Sequence, residues 1–88
     1  MHLLITIQLN ESKPPTIIDV LTQQEENPAY YPSFEDRVGI DIVAVTCTVI
    51  EMCCWRQLRA AMPANPSLLQ RVSTIRRLLK NGQLQIKR

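Results

Sequence analysis

From Val38 to Trp55 the chain reads VGIDIVAVTCTVIEMCCW, the one long apolar run in its 88 residues. Such a run has to be buried in a core or placed in a membrane, because apolar surface left in water costs roughly 25 cal/mol per Å². Its first part, VGIDIVAVTCTVI, is dominated by Val, Ile and Thr, which lose rotamer freedom in helices and suit pleated surfaces. Both the odd and the even positions are apolar, the pattern of a central strand covered on two sides. The expectation is therefore a strand over 38–50. From Glu51 the composition turns to helix formers, EMCCWRQLRAAM, with Cys54, Trp55, Leu58, Ala61 and Met62 on one helical stripe. That predicts a helix over 51–62, with Glu51 at the junction and Trp55 as its main core anchor.

A membrane span near 38–55 is the alternative. The run is about long enough to cross, its N-terminal flank is acidic and its C-terminal flank basic, which would leave a cytosolic C-terminus. Cys53 and Cys54 would then form a juxtamembrane pair for lipidation. Asp41 and Glu51 oppose this reading, since a carboxylate near the centre of a span costs roughly 2.5–3.5 kcal/mol. The longest uncharged stretch within the run is Ile42–Ile50, a strand's length.

On the N-terminal side, LLITIQL at 3–9 alternates Leu3, Ile5, Ile7 and Leu9 on one face and predicts a half-buried strand. Pro14 and Pro15 end it. Thr16 and Asp19 then read as a capping box for a short helix near 16–25. Residues 26–37, ENPAYYPSFEDR, read as a loop. On the C-terminal side, Asn65-Pro66 reads as a helix start and Asn81-Gly82 as its stop. Leu68, Leu69, Val72, Ile75, Leu78 and Leu79 form the apolar face of that 66–80 helix. Residues 83–87 alternate as a short edge strand.

The sequence thus predicts one small α+β domain over 1–88, with about three strands (3–9, 38–50, 83–87) and two consecutive helices (51–62, 66–80). Its expected core is Leu3, Ile5, Ile7, Ile42, Val45, Val49, Trp55, Leu58, Leu68, Val72, Ile75 and Leu79. A core this thin, beside an edge strand, makes a homo-oligomer plausible.

Charge divides the chain. Residues 1–44 carry two basic and seven acidic side chains, and residues 45–88 carry eight basic and one acidic, so a net of +2 hides −5 and +7. The basic half suits an anionic partner, nucleic acid or lipid headgroups. Arg71, Arg76, Arg77 and Lys80 would line the second helix of a helix-turn-helix-like pair with a rudimentary wing. The bland reading of the same residues is a solvated face on an amphipathic helix.

Asn27-Pro28-Ala29-Tyr30 fits the NPxY pattern read by protein adaptors, with Asn27, Pro28 and Tyr30 as its candidate residues. Tyr31-Pro32-Ser33-Phe34 fits a YxxΦ sorting signal. An Asn-Pro turn explains the first equally well. A span at 38–55 would also put both tyrosine motifs on the side away from cytosolic adaptors.

Enzymatic chemistry finds little footing. His2 is the sole histidine, and Gly39 and Gly82 are the sole glycines, so neither a Ser-His or Cys-His pair nor a phosphate loop can be built. The three cysteines, Cys47, Cys53 and Cys54, match no disulfide or zinc spacing and suggest a reducing, cytoplasmic setting. No cofactor, metal or catalytic residue is expected. The expectation is a small non-enzymatic accessory protein that regulates or interacts through a protein partner and its basic helix face; a viral origin would suit so compact a chain, but no residue points to it.

Overall fold

Three helices account for the regular structure of the described residues. The structure, a computed structural model, describes residues 13–85. Within them α1 spans Lys13–Glu26, α2 Phe34–Leu58 and α3 Leu68–Lys80. No strand occurs among the described residues, so the expected α+β fold is corrected to an all-helical one. The strand expected at 38–50 is the middle of α2, and residues 83–85 are irregular. The strand expected at 3–9 lies outside the described residues.

The reason lies in how α2 distributes its apolar residues. Ile40, Val43, Cys47, Ile50 and Cys54 follow one another at intervals of three and four, and all pack in or against the core. Val38, Ile42, Val45, Val49 and Met52 follow the same kind of spacing, and all are exposed. The two sets are offset by two residues, about 200° around a helix. A helix with two opposite apolar seams has nearly every position apolar, and so it imitates a strand covered on both faces. Length argues the same way, since α2 runs for 25 residues, whereas strands average about 5–6.

Local chemistry supports the helix as well. Ser33 caps it by accepting a hydrogen bond from the Asp36 amide at 3.1 Å, and Glu35 and Asp36 sit in the first turn against the helix dipole. The Thr46 and Thr48 hydroxyls donate to the carbonyls of Ile42 and Ala44 at 2.8 and 3.0 Å, so both threonines are satisfied within the helix. Cys54 departs from helical geometry (φ −129°, ψ 26°) and kinks the last turn. The expected strand-to-helix junction at Glu51 does not exist, because Glu51 lies inside α2.

α1 begins at Lys13, earlier than 16, so Pro14 and Pro15 start a helix rather than end a strand. Proline is tolerated in a first turn, where its missing N–H has no helical partner to lose. Thr16 is accordingly inside the helix and not its cap. The loop expected over 26–37 shortens to 27–33, because α2 takes up Phe34 to Arg37.

α3 starts at Leu68, two residues later than expected. Ser67, not Asn65, is the cap: its hydroxyl accepts from the Gln70 amide (3.2 Å) while the Gln70 side chain accepts from the Ser67 amide (2.9 Å). Asn65 instead takes a left-handed turn conformation, φ 49°. At the other end the expected Asn81-Gly82 stop stands. Gly82 adopts φ 70°, and the amides of Gly82 and Gln83 donate to the carbonyls of Leu79 and Leu78 at 3.2 and 2.9 Å, a Schellman closure.

α1 and α3 both pack on α2 and on each other. The core joins Ile17 and Leu21 of α1, the inner seam of α2 with Leu58, and Val72, Ile75 and Leu78 of α3, and it is closed by Leu84. Of the expected core, Leu58, Val72 and Ile75 are buried, and Leu68 and Leu79 pack against it. Ile42, Val45, Val49 and Trp55 are exposed. Trp55 is thus no anchor. Leu3, Ile5 and Ile7 lie outside the described residues.

Candidate functional site

The candidate site is the outer face of α2, where exposed apolar residues line up. Packing needs only one side of a helix, and α1 and α3 both lie on the inner seam. The outer seam keeps Val38, Ile42, Val45, Val49 and Met52 in solvent, with exposures from 36% at Val49 to 79% at Met52. Phe34 extends the face at one end and Trp55 lies beside it at the other, both exposed. The helix is about 37 Å long at 1.5 Å per residue. The seam from Val38 to Met52 covers about 21 Å of that length, and exposed apolar faces of this kind are where partners or lipid bind. α2 is also long and apolar enough to cross a membrane, with a mean hydropathy of 1.8 over 18 residues, of which 28% are buried.

Charges lie at the ends of this face. Glu35 and Asp41 are exposed toward its N-terminal end, and Arg56 and Arg59 toward its C-terminal end. Arg37 is also near the acidic end but folds back: its Nη1 donates to the Tyr31 hydroxyl at 2.8 Å, and its guanidinium stacks 5.0 Å from the Tyr31 ring centre and 5.9 Å from that of Phe34.

The basic set on α3 does not present one uniform surface. Arg71 is turned inward, where its Nε and Nη2 donate to the two Glu51 carboxylate oxygens at 2.8 and 2.7 Å, and Nη2 also donates to the Thr48 hydroxyl at 3.2 Å. The hydrogen bond to Glu51 raises the pKa of Arg71 above its ordinary value, so it carries its charge at any physiological pH. Arg76 is half-buried, and Arg77 and Lys80 remain exposed. The expected short turn of a helix-turn-helix pair is replaced by residues 59–67 between the two helices.

Asn27, Pro28 and Tyr30 form the turn after α1. The Asn27 side-chain oxygen accepts from the Ala29 amide at 3.1 Å, and its carbonyl accepts from the Tyr30 amide at 2.9 Å. Tyr31 is exposed and engaged by Arg37, while Ser33 and Phe34 serve as the cap and first residue of α2. An open groove lies beside this turn, lined by Gln24, Tyr30, Tyr31, Arg37, Ile40 and Asp41.

Cys53 and Cys54 are adjacent in sequence and separated in environment. Cys53 is exposed, whereas Cys54 is buried and its Sγ lies 3.8 Å from the Gln85 carbonyl, to which it can donate. Burial pushes the Cys54 thiol above its ordinary pKa, and Cys53 beside it adds to the rise. Cys47 lies fully buried in the core, and burial pushes its thiol from 9.0 up to about 11. The three cysteines are free, and no group of His, Cys, Asp and Glu placed for a metal ion occurs among the described residues.

Sequence reasoning singled out the α3 bases and missed the outer seam, although the signal was there. Apolar residues at 38, 42, 45, 49 and 52 repeat in steps of four and three, a helical period inside a run that also fits a strand. Comparison of the chain with protein-family models, curated proteins and solved structures gives no match.

Proposed function

We propose that this chain is a non-enzymatic interaction protein whose working surface is the outer face of α2. The observation that carries the reading is that seam of five exposed apolar residues on a helix whose other face is already packed. α1 and α3 hold the helix and leave that face open to a protein partner. The basic face of α3 is secondary in this reading, because Arg71 is committed to Glu51.

Membrane association is the second reading, favoured by the length and hydropathy of α2. Insertion of the whole bundle would carry the Glu51–Arg71 pair and the polar side of α3 into hydrocarbon, where every polar group is expensive. A span would therefore require α2 to leave α1 and α3, with loss of the inner-seam contacts. The protein-contact reading needs no such rearrangement. The nucleic-acid reading retains Arg76, Arg77 and Lys80 without Arg71.

A photo-reactive benzophenone amino acid at Val45 tests the choice in cells expressing the full chain. The expected result is a protein cross-link from Val45 and none from the exposed Ser73 on α3. Cross-links to lipid alone, with the chain retained in the pellet after alkaline carbonate, would overturn it.

A further inference from the structure

We propose that the outer seam of α2 is a self-recognition surface, through which two copies of this chain pair with their α2 helices antiparallel. The inference rests on the reading of that face as the working surface and adds its occupant.

Periodicity is the first argument. Val38, Ile42, Val45, Val49 and Met52 are spaced four, three, four and three residues apart, and all five are exposed. That is the repeat of a knobs-into-holes seam, which keeps an apolar line facing one partner helix along its whole length. A lipid surface has no need of so narrow a line. Asp41, exposed beside the seam, stays hydrated at the rim of a helix pair but would face hydrocarbon in a bilayer.

Charge is the second argument and supplies the direction. Glu35 and Asp41 stand toward one end of the face, and Arg56 and Arg59 toward the other. Among the described residues the ion pair is Arg71–Glu51, so none of these four charges has an ion-pair partner there. Two antiparallel copies set the acidic end of each against the basic end of the other and oppose the two helix dipoles. Two parallel copies would set like against like at both ends, which is unfavourable in a helix pair. Arg37 does not cancel the acidic end, because it is held back on Tyr31. A two-fold axis through the middle of the seam, near Val45 and Val49, then makes the contact self-complementary and closed.

Sedimentation equilibrium of the full chain, kept reduced, tests this. The wild type should be a dimer. Val45→Glu should be monomeric with an unchanged helical circular dichroism spectrum, because Val45 is 63% exposed and makes no core contact. Glu35→Lys with Asp41→Lys, and Arg56→Glu with Arg59→Glu, should each weaken the dimer by about tenfold or more. All four changes in one chain should restore it. A wild type that stays monomeric, a Val45→Glu dimer, or a four-fold variant as weak as the two-fold ones would each overturn the proposal. So would a Cys53–Cys53 disulfide that forms under mild oxidation much faster in the wild type than in Val45→Glu, because a parallel pair would juxtapose those exposed thiols whereas chance collision is the same in both. Failure here separates from failure of the parent reading: a monomer whose Val45 still cross-links to another protein refutes self-pairing alone. A monomer whose Val45 captures lipid, or nothing, refutes both.

Discussion

Glu51 and Arg71 join α2 to α3 through a bidentate ion pair. Glu51 lies in the apolar stretch of α2, where an unpaired carboxylate would be costly, and Arg71 covers it with two hydrogen bonds while reaching Thr48 with a third contact. Both side chains keep about a fifth of their surface in solvent, 22% for Arg71 and 19% for Glu51, which places the pair between an exposed bridge and a buried one. Glu51→Gln should therefore lower stability by about 1–2 kcal/mol and Arg71→Ala by about 1–3 kcal/mol. Replacing both by methionine should cost less than either single change, because no charge is then left alone. Urea denaturation of the wild type and the three variants compares these costs. The pair also explains why Arg71 was misplaced from sequence: its partner is 20 residues away, and no local pattern reports it.

Cys47 couples the fold to pH. Its folded pKa of about 11 lies above the ordinary 9.0, so the folded protein resists ionisation of a thiol that the unfolded chain releases more easily. The stabilisation is complete below pH 9 and is lost as pH rises toward 11. Stability should fall by roughly 2–3 kcal/mol across that window, and Cys47→Ala should flatten the decline. At pH 8 a thiol reagent should modify Cys53 quickly and leave Cys47 untouched until the chain unfolds.

Among the elements, α1 meets α2 at Gly39. A Cβ built there would come 2.6 Å from the Ile17 Cδ1 atom, so the glycine permits the close approach of the two helices. Gly39→Ala improves helix propensity by about 0.5–1 kcal/mol but displaces the Ile17 side chain, and the two effects should nearly cancel. In an Ile17→Val background, which removes the Cδ1 atom, the same substitution should stabilise by about 0.5–1 kcal/mol. Thermal unfolding of the double-mutant set detects that coupling. The elements also differ in how readable they were. α3 was legible because the apolar spacing of Val72 and Ile75 and the Asn81-Gly82 stop are local signals, although its cap was placed at Asn65 and not at Ser67. α2 was not, because two opposed helical seams and one two-sided strand leave nearly the same residues apolar.

At the scale of the molecule the two seams have opposite roles. Ile50 is 1% exposed within the core, and Ile50→Ala should cost about 2–5 kcal/mol. Val45, five residues earlier on the same helix, should tolerate alanine within about 0.5 kcal/mol when the chain is monomeric. Chemical denaturation at dilute protein concentration distinguishes them. If both cost the same, the division of α2 into a packed face and an open one is wrong. By itself, the sequence determined a helix over 66–80, which the structure trims to Leu68–Lys80, its stop at Gly82, and the separation of acidic and basic halves, because periods, turn residues and charges act over a few residues. Only the tertiary structure decided that the 38–55 run is helical, which of its seams is buried, and that Arg71 faces Glu51. Those outcomes depend on which surfaces α1 and α3 cover, and burial is a property of the assembled chain.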